Sequence, residues 1–397
     1  MRIGKTALLV LLLAVGLAGC SADMGNEAAS EEGRSTADDV SSEGARTSQK
    51  SKETAQKALP GPLEEKLSLP DAVGQMFLVA MNGTQSNYYI EKMVRERNIG
   101  GVLLLGSNME GEAQTERLVG SLQSLSGDTD PPIPLMIAVD QEGGRISPAP
   151  WVSPQPSAAQ VGASGEPARA RATAEEMGRE LRQAGINTDL APVADTGSGA
   201  AIGDRSFGGE PELVSRMVAA SVEGFEAAGI VSSAKHFPNH GPATTDSHTD
   251  QTVIRHGMRE IRSYDLPPFE AAIDSGVPMV MVGHLIYPAI DPENPASLSP
   301  RAIRMLRAEL GFEGVVITDD LSMAGARRGG TTPQAAVQAV EAGADMVIVS
   351  DVPEVQAAAY RAVLEAVESG EIPRQQVYAS LERILKTKEE YPLYEEP

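Results

Sequence analysis

A single cysteine, Cys20, stands among 397 residues. A disulfide framework and any zinc site built on thiolates are thereby excluded. Basic residues are also scarce: 33 Lys and Arg face 55 Asp and Glu, a formal net charge of −22 at pH 7. Phosphates would be repelled by such a chain, which argues against nucleic acid or an anionic lipid surface as partner. No apolar run reaches the ~20 residues that cross a bilayer, and no repeat at solenoid periods is visible. The hydrophobic fraction is nonetheless 41%, enough to fill a core, so wholesale disorder is excluded.

The longest apolar run, Ala7–Ala18, follows Arg2 and Lys5 and is too short to span the hydrocarbon. It has the charge and length of a secretory signal. It ends in Leu17-Ala18-Gly19-Cys20, which resembles the bacterial lipoprotein cleavage box. That resemblance implies a signal peptide over 1–19 and a mature chain beginning at a lipidated Cys20, whose two acyl chains suffice for stable anchoring. An ordinary signal with an incidental cysteine is the simpler alternative. Residues 20–60 are mostly Ser, Glu, Ala, Asp, Thr and Lys, too poor in large apolar side chains to offset ordering entropy. They are expected to form a disordered tether that stands a folded domain, 61–397, off the outer face of a membrane.

From Leu67 onward, short β-branched runs alternate with helical patterns. The expected strands are Gln75–Met81, Gly101–Gly106, Leu135–Asp140, Thr188–Val193, Val231–Lys235, Met279–Gly283, Gly314–Thr318 and Met346–Ser350. They are continuously apolar, as strands buried on both faces must be. Expected helices between them include Pro167–Ala184, Pro211–Ala228, Ser299–Leu310 and Thr332–Ala342. Gly185, Gly229, Gly276, Gly311 and Gly343 stand where helices would stop. Eight such units predict an α/β fold, a (β/α)8 barrel of the TIM type; a doubly wound open sheet is the alternative.

Polar residues gather at the ends of these runs: Asp140, Asp195, Asp204 and Arg205, Lys235 and His236, His284, Asp319 and Asp320, and Asp351. Strand C-termini are where barrel enzymes carry their active sites. All five histidines lie between positions 236 and 284. His236 and His240 have zincin spacing, but Pro238 and Gly241 break a helix and the Glu of that motif is missing. The same residues could be polar loop groups serving local backbone. The reading preferred is acid/base: Asp246 and His248 are two apart, and a carboxylate beside an imidazole fixes its tautomer and favours its protonated form. Asp320 or Ser322 is placed to cap the helix after the seventh strand. Lys235 at a strand end is costly unless paired or facing a ligand.

Asp140-Gln-Glu-Gly-Gly-Arg145, Ile202-Gly-Asp-Arg-Ser-Phe-Gly208, Lys235-His-Phe-Pro, Asp246-Ser-His248, Val282-Gly-His284 and Ile317-Thr-Asp-Asp-Leu-Ser-Met323 follow one another in order. Together, over about Leu67–Leu385, they resemble the β-N-acetylglucosaminidases (NagZ type) of glycoside hydrolase family 3. The resemblance implies a retaining hydrolase in which Asp319 is the nucleophile and His248, partnered by Asp246, is the acid/base. It implies sugar contacts at Asp140, Arg205, Lys235 and His236. Most retaining glycosidases use two carboxylates about 5–5.5 Å apart; a His–Asp dyad in place of one is this subgroup's pattern. No metal or organic cofactor is implied.

The chain also departs from the family pattern. Asn239 replaces a Gly and Pro242 an Asp in the segment after Lys235, and Pro148 stands where a second Arg is frequent. The expected activity is exo-release of terminal GlcNAc from β-1,4-linked GlcNAc-containing wall oligosaccharides by a monomeric, membrane-anchored enzyme. Two other readings compete. A His acid/base bears no permanent negative charge, so phosphate could replace water as acceptor. Alternatively, the departures could leave a surface protein that binds sugar without turnover.

Overall fold

A computed structural model of the chain describes residues 66–199, 201–245, 251–391 and 393. Cys20, Asp246 and His248 lie outside the described residues, as do the expected leader and tether. The strands are β1 (Phe77–Ala80), β2 (Gly101–Leu103), β3 (Met136–Val139), β4 (Thr188–Asp189), β5 (Val231–Phe237), β6 (Thr252–Val253), β7 (Met279–Val282), β8 (Leu285–Ile286), β9 (Val315–Asp320) and β10 (Met346–Val349). Eight close a barrel in the order β1-β2-β3-β4-β5-β7-β9-β10, with β10 returning to β1. Every pairing in it is parallel. Leu78, for example, is in register with Gly101 of β2 on one side and Ile348 of β10 on the other. All eight barrel strands fall on the eight expected runs, so the closed barrel rather than the open sheet is the architecture.

The continuous apolar runs work because helices cover the outside while side chains fill the inside. Residues of β1, β2, β3, β7 and β10 are buried throughout. The helices Pro167–Gln183 and Pro211–Ala227 each open with proline, where the missing N–H has no intrahelical partner to lose. Helix Thr332–Ala342 begins with a reciprocal cap between Thr331 and Gln334. All five glycines expected to end helices have φ between 70° and 110°, a region that costs an L-residue its Cβ clearance. The expected single helix over 299–310 instead divides. It runs as Pro300–Arg304 and then loosens into a π-turn, Met305–Glu309, where Leu310 N–H reaches back to Met305 O at 3.2 Å.

The N-terminal end of the barrel is closed by buried charge that the sequence reading left unmarked. Asp345, fully buried before β10, accepts from Arg307, both Arg383 Nε and Nη2, Ser380 Oγ and Val316 N–H. Lys388 on the last helix, Arg374–Glu390, donates to Gln75 Oε1, Gly100 O and Pro134 O, each at 2.8 Å. Those three acceptors precede β1, β2 and β3. At the opposite end β6 and β8 form a short parallel ribbon, Thr252 beside Leu285 and Val253 beside Ile286. That ribbon holds Thr252 and Val253 beside the residues that follow β7.

Candidate active site

The mouth of the barrel collects one polar group from almost every strand end. β3 leads into Asp140 and Glu142, and β5 carries Lys235 and His236. Lys235 Nζ lies 2.5 Å from Asp140 Oδ1 and 2.8 Å from Glu142 Oε1. Arg205, on the short turn Gly203–Arg205 after β4, grips Glu142 with Nε and Nη2, both at 2.7 Å. Two cations and two carboxylates thus alternate in a chain, Asp140–Lys235–Glu142–Arg205. Lys235 and Glu142 are almost wholly enclosed, whereas the Asp140 side chain is 37% exposed and faces the opening. Burial pushes the Glu142 carboxyl up, but Lys235 and Arg205 outweigh it and hold the group at about 2. Against the same burial, Asp140 and Glu142 keep Lys235 firmly charged.

Below this chain Asp189 at the end of β4 accepts the Gln141 N–H at 2.9 Å. Burial drives its carboxyl well above the usual range. His236 is fixed by a second carboxylate: its Nδ1 is 2.7 Å from Asp195 Oδ2, and Asp195 Oδ1 takes the backbone N–H of His240. Burial would raise the Asp195 carboxyl, yet the His236 imidazole and the His240 contacts hold it low. An ionised Asp195 requires the proton on Nδ1, which leaves Nε2 as the His236 nitrogen for a ligand. Burial and the neighbouring His236 lower the affinity of His240 for a proton.

On the far side β9 ends in Asp319 and Asp320, which take opposite roles. Asp320 accepts from Ser322 N–H and Oγ and from Ser350 N–H and Oγ, clamping β9 to the end of β10. It does not cap the next helix; the cap position of Ala324–Arg327 is Met323, which makes no side-chain cap bond. Asp319 is half-buried, and its Oδ1 accepts the Asp320 N–H at 2.7 Å. It stands at the C-terminal end of β9, at the same mouth, and its charge partly offsets the burial that lowers the proton affinity of His240 and His284. His284 has both nitrogens engaged: Nε2 donates to Asp320 O at 2.9 Å and Nδ1 accepts from Ser297 Oγ at 2.7 Å. It supports the β9 turn.

Residues 68–387 match the glycosyl hydrolase family 3 N-terminal domain. The chain belongs to glycoside hydrolase family 3. The β-hexosaminidase of Stenotrophomonas maltophilia (strain R551-3) is 36% identical over 283 residues, covering 69% of this chain and 83% of that protein. A family 3 β-N-acetylglucosaminidase structure from Paenibacillus sp. str. FPU-7 superposes with TM-score 0.80 at 37% identity over 82% of this chain; the chain spans 63% of that longer protein. The β-N-acetylhexosaminidase of Beutenbergia cavernae DSM 12333 gives TM-score 0.76 at 32% identity, covering 81% of this chain and 98% of the other. The present chain is a hydrolase of O-glycosyl bonds, and the family inferred from six short motifs is the family it has.

Asp140, Arg205, Lys235, His236 and Asp319 all come to the one mouth of this hydrolase. Asp246 and His248 fall outside the described residues. The sequence singled out Asp140 but not Glu142, which joins Lys235 and Arg205. The signal was present in Lys235, whose burial demanded a partner. Arg145 turns away from the charge chain to Asp204 Oδ1 at 2.8 Å and to the carbonyls of Ala201 and Ile202. Asn239, one of the departures, stitches the chain after β5 to its surroundings. Its side chain meets Thr196 N–H and O, Gly241 N–H and Asp265 Oδ1. Asp265 in turn holds His256 Nδ1 at 2.9 Å. Pro148, another departure, packs beside Gly106. Trp151 directs its indole N–H to Glu180 O at 3.2 Å. Among the described residues no cluster of three or more His, Cys, Asp or Glu side chains could hold a metal ion.

Proposed function

We propose that this hydrolase is an exo-acting, retaining β-N-acetylglucosaminidase that removes terminal GlcNAc from β-1,4-linked cell-wall fragments. The observation that carries the reading is the division of labour at β9. Asp320 is held by Ser322 and Ser350, while Asp319, half-buried at the same strand end, accepts the Asp320 N–H. The names of its relatives support the sugar.

In this mechanism the terminal ring lies on the Asp140 side of the mouth. Asp140 accepts from a hydroxyl. Lys235 has two acceptors among the described residues, so its third proton is available to a second hydroxyl, and His236 Nε2 serves another. A rigid charged cluster orients the ring before reaction, so little reorganisation is needed when positive charge develops at the anomeric carbon. An Asp319 oxygen attacks that carbon as His248 gives its proton to the departing oxygen, producing a glycosyl-enzyme and an alcohol. His248 then takes a proton from water, whose oxygen attacks the same carbon and frees Asp319. Asp246 orients the His248 ring through both steps. Two inversions at one carbon give retention.

Attachment through a lipidated Cys20, with 20–60 as tether, belongs to the same proposal and places the enzyme on the outer side of a membrane. The first test compares chromogenic β-GlcNAc and β-glucoside substrates in water and in phosphate. Release from the GlcNAc substrate at a rate independent of phosphate is expected. A rate that requires phosphate, with sugar 1-phosphate as product, would make the enzyme a phosphorylase. Tight GlcNAc binding with no release would leave a sugar-binding protein. Replacing Cys20 by Ser should move the protein from the membrane to the soluble fraction; retention would refute the anchor.

A further inference from the structure

On the β1–β10 side of the mouth, four large apolar side chains stand in water: Tyr88 is 64% exposed, Tyr89 50%, Val352 54% and Leu105 40%. Tyr88 and Tyr89 open the helix Tyr88–Arg97, and Val352 precedes the helix Pro353–Ser369. Both helices start from the C-terminal ends of barrel strands. Between their first turns lies a hollow of about 350 Å³, lined by Ala80, Met81, Asn82, Asn87, Tyr89 and Pro353 among others. Its floor is the end of β1, where Ala80 O accepts from Gln356 Nε2 at 2.8 Å.

The rim of the hollow is fixed. Asn87 Oδ1 caps Tyr89 and Ile90 N–H, and Asn87 Nδ2 donates to Asn82 O. Asn108 donates to Met81 O and Gly83 O, and Gln114 to Thr84 O. Tyr88 and Tyr89 pack edge to face at 5.7 Å, and the Lys92 ammonium lies 5.2 Å from the Tyr88 ring centre. The tyrosines are therefore exposed on a braced stretch of chain. Exposing two rings in water forgoes burial that a folded chain ordinarily takes, and such a patch beside a concave, amide-edged hollow marks a binding surface.

The chemistry suits a pyranose: an apolar C–H face lies on a tyrosine ring, and hydroxyl or acetamido groups meet the exposed Asn82 side chain. The lining carries one carboxylate, Glu354, among uncharged groups, and so offers no charge pattern for a peptide. Position ties the hollow to the reaction. β1 borders β10, and β10 borders β9, which holds Asp319. At ~4.8 Å between neighbouring strands the floor of the hollow is about 10 Å along the mouth from the nucleophile strand. A glycan leaving the site over β10 passes across it.

We propose that Tyr89, supported by Tyr88 and Val352, forms an aglycone-side subsite for an internal N-acetylhexosamine unit, so that the enzyme prefers chains to single glycosides. This rests on the N-acetylglucosaminidase reading above. The test compares kcat/KM for a β-1,4-linked GlcNAc tetramer with kcat/KM for the chromogenic monoglycoside, in the purified full chain. Tyr89→Ala should lower the ratio about tenfold through KM for the tetramer, the loss of one aromatic contact. Tyr89→Trp should keep it within about twofold, because the stacking face remains. An unchanged ratio in Tyr89→Ala, or an equal fall in Tyr89→Trp, overturns the subsite. If the wild type releases nothing from either substrate, the activity reading fails on its own. Calorimetric titration of Asp319→Asn with the tetramer then decides the subsite separately: affinity lost on adding Tyr89→Ala supports it, and equal affinity refutes it.

Discussion

Glu142→Gln is the most informative substitution, because one carboxylate holds the buried Lys235 and the half-buried Arg205. Glutamine keeps the shape and can still accept from one cation, but it removes the charge. Lys235 would then have only Asp140, and Arg205 would lose its bidentate partner. Breaking a buried pair from one side leaves uncompensated charge and costs about 3–5 kcal/mol. The displaced carboxyl gives the same scale. A shift from 4.5 to about 2 is about 2.5 units, or roughly 3 kcal/mol at 1.36 kcal/mol per unit. Because the folded-state value is depressed, this stabilisation is present above pH 4.5 and is lost as pH falls toward 2. Denaturant unfolding of both proteins at pH 7 and across pH 5 to 2 measures it. The wild type should exceed Glu142→Gln by about 3 kcal/mol at pH 7, and the two curves should converge in acid. A difference under about 1 kcal/mol at pH 7, or one that persists unchanged at pH 2.5, would refute the argument that Glu142 is the ionised keystone of the site.

Asp319→Asn should reduce turnover by roughly 10³-fold or more with unfolding unchanged, since it removes the attacking oxygen and leaves the Asp320 clamp intact; wild-type rate in this variant removes the assignment. His248→Ala should lose about 10²–10⁴-fold on substrates with poor leaving groups and under about tenfold on activated ones, which need little protonation; equal losses on both would take away the acid role. Asp265 is raised by burial to about 6 against the Asn239 and His256 contacts, so the protonated form favours the folded state below pH 3.8 and that advantage is lost as pH rises through 6. Asp265→Asn should flatten the stability slope between pH 4 and 6.5, and a slope identical to wild type would count against it. Lys388→Met should lower stability by about 2–4 kcal/mol by stranding Gln75 Oε1 and Pro134 O and leaving Gly100 O with only the Met136 N–H. Its kcat at a permissive temperature should match wild type because the group closes the opposite end of the barrel.

Much of the architecture is visible in the chain itself. Runs such as Met346–Val349 and Met279–Val282 can be buried on both faces only in a parallel sheet. Glycines at 185, 229, 276, 311 and 343 mark where the chain must reverse with positive φ. Both patterns are local, and local periodicity survives folding whenever the core agrees with it. The π-turn at Met305–Glu309 was not visible, because the one-residue slip of the helix ladder leaves no compositional trace.

The site divides in the same way. Residue type and position at strand ends identified Asp140, Lys235, His236 and Asp319, since a barrel delivers its strand C-termini to one mouth. The resemblance marked Asp319 as the nucleophile, and Ser350, at the end of the neighbouring strand, ties down Asp320. Motif spacing alone could not show that contact. Nor could it show that Glu142 joins Lys235 and Arg205, or that Asn239 fastens Thr196 to Asp265, since each bond spans tens of residues in sequence. The amino-acid order by itself determined the barrel, its family and the residues at its mouth, because hydrophobic period and strand-end chemistry are properties of short segments. The tertiary structure alone decided which charges pair, which carboxylate ties β9 to β10 and where aromatic rings remain in water. Pairing energies depend on distance and burial, and both are set only when remote segments meet.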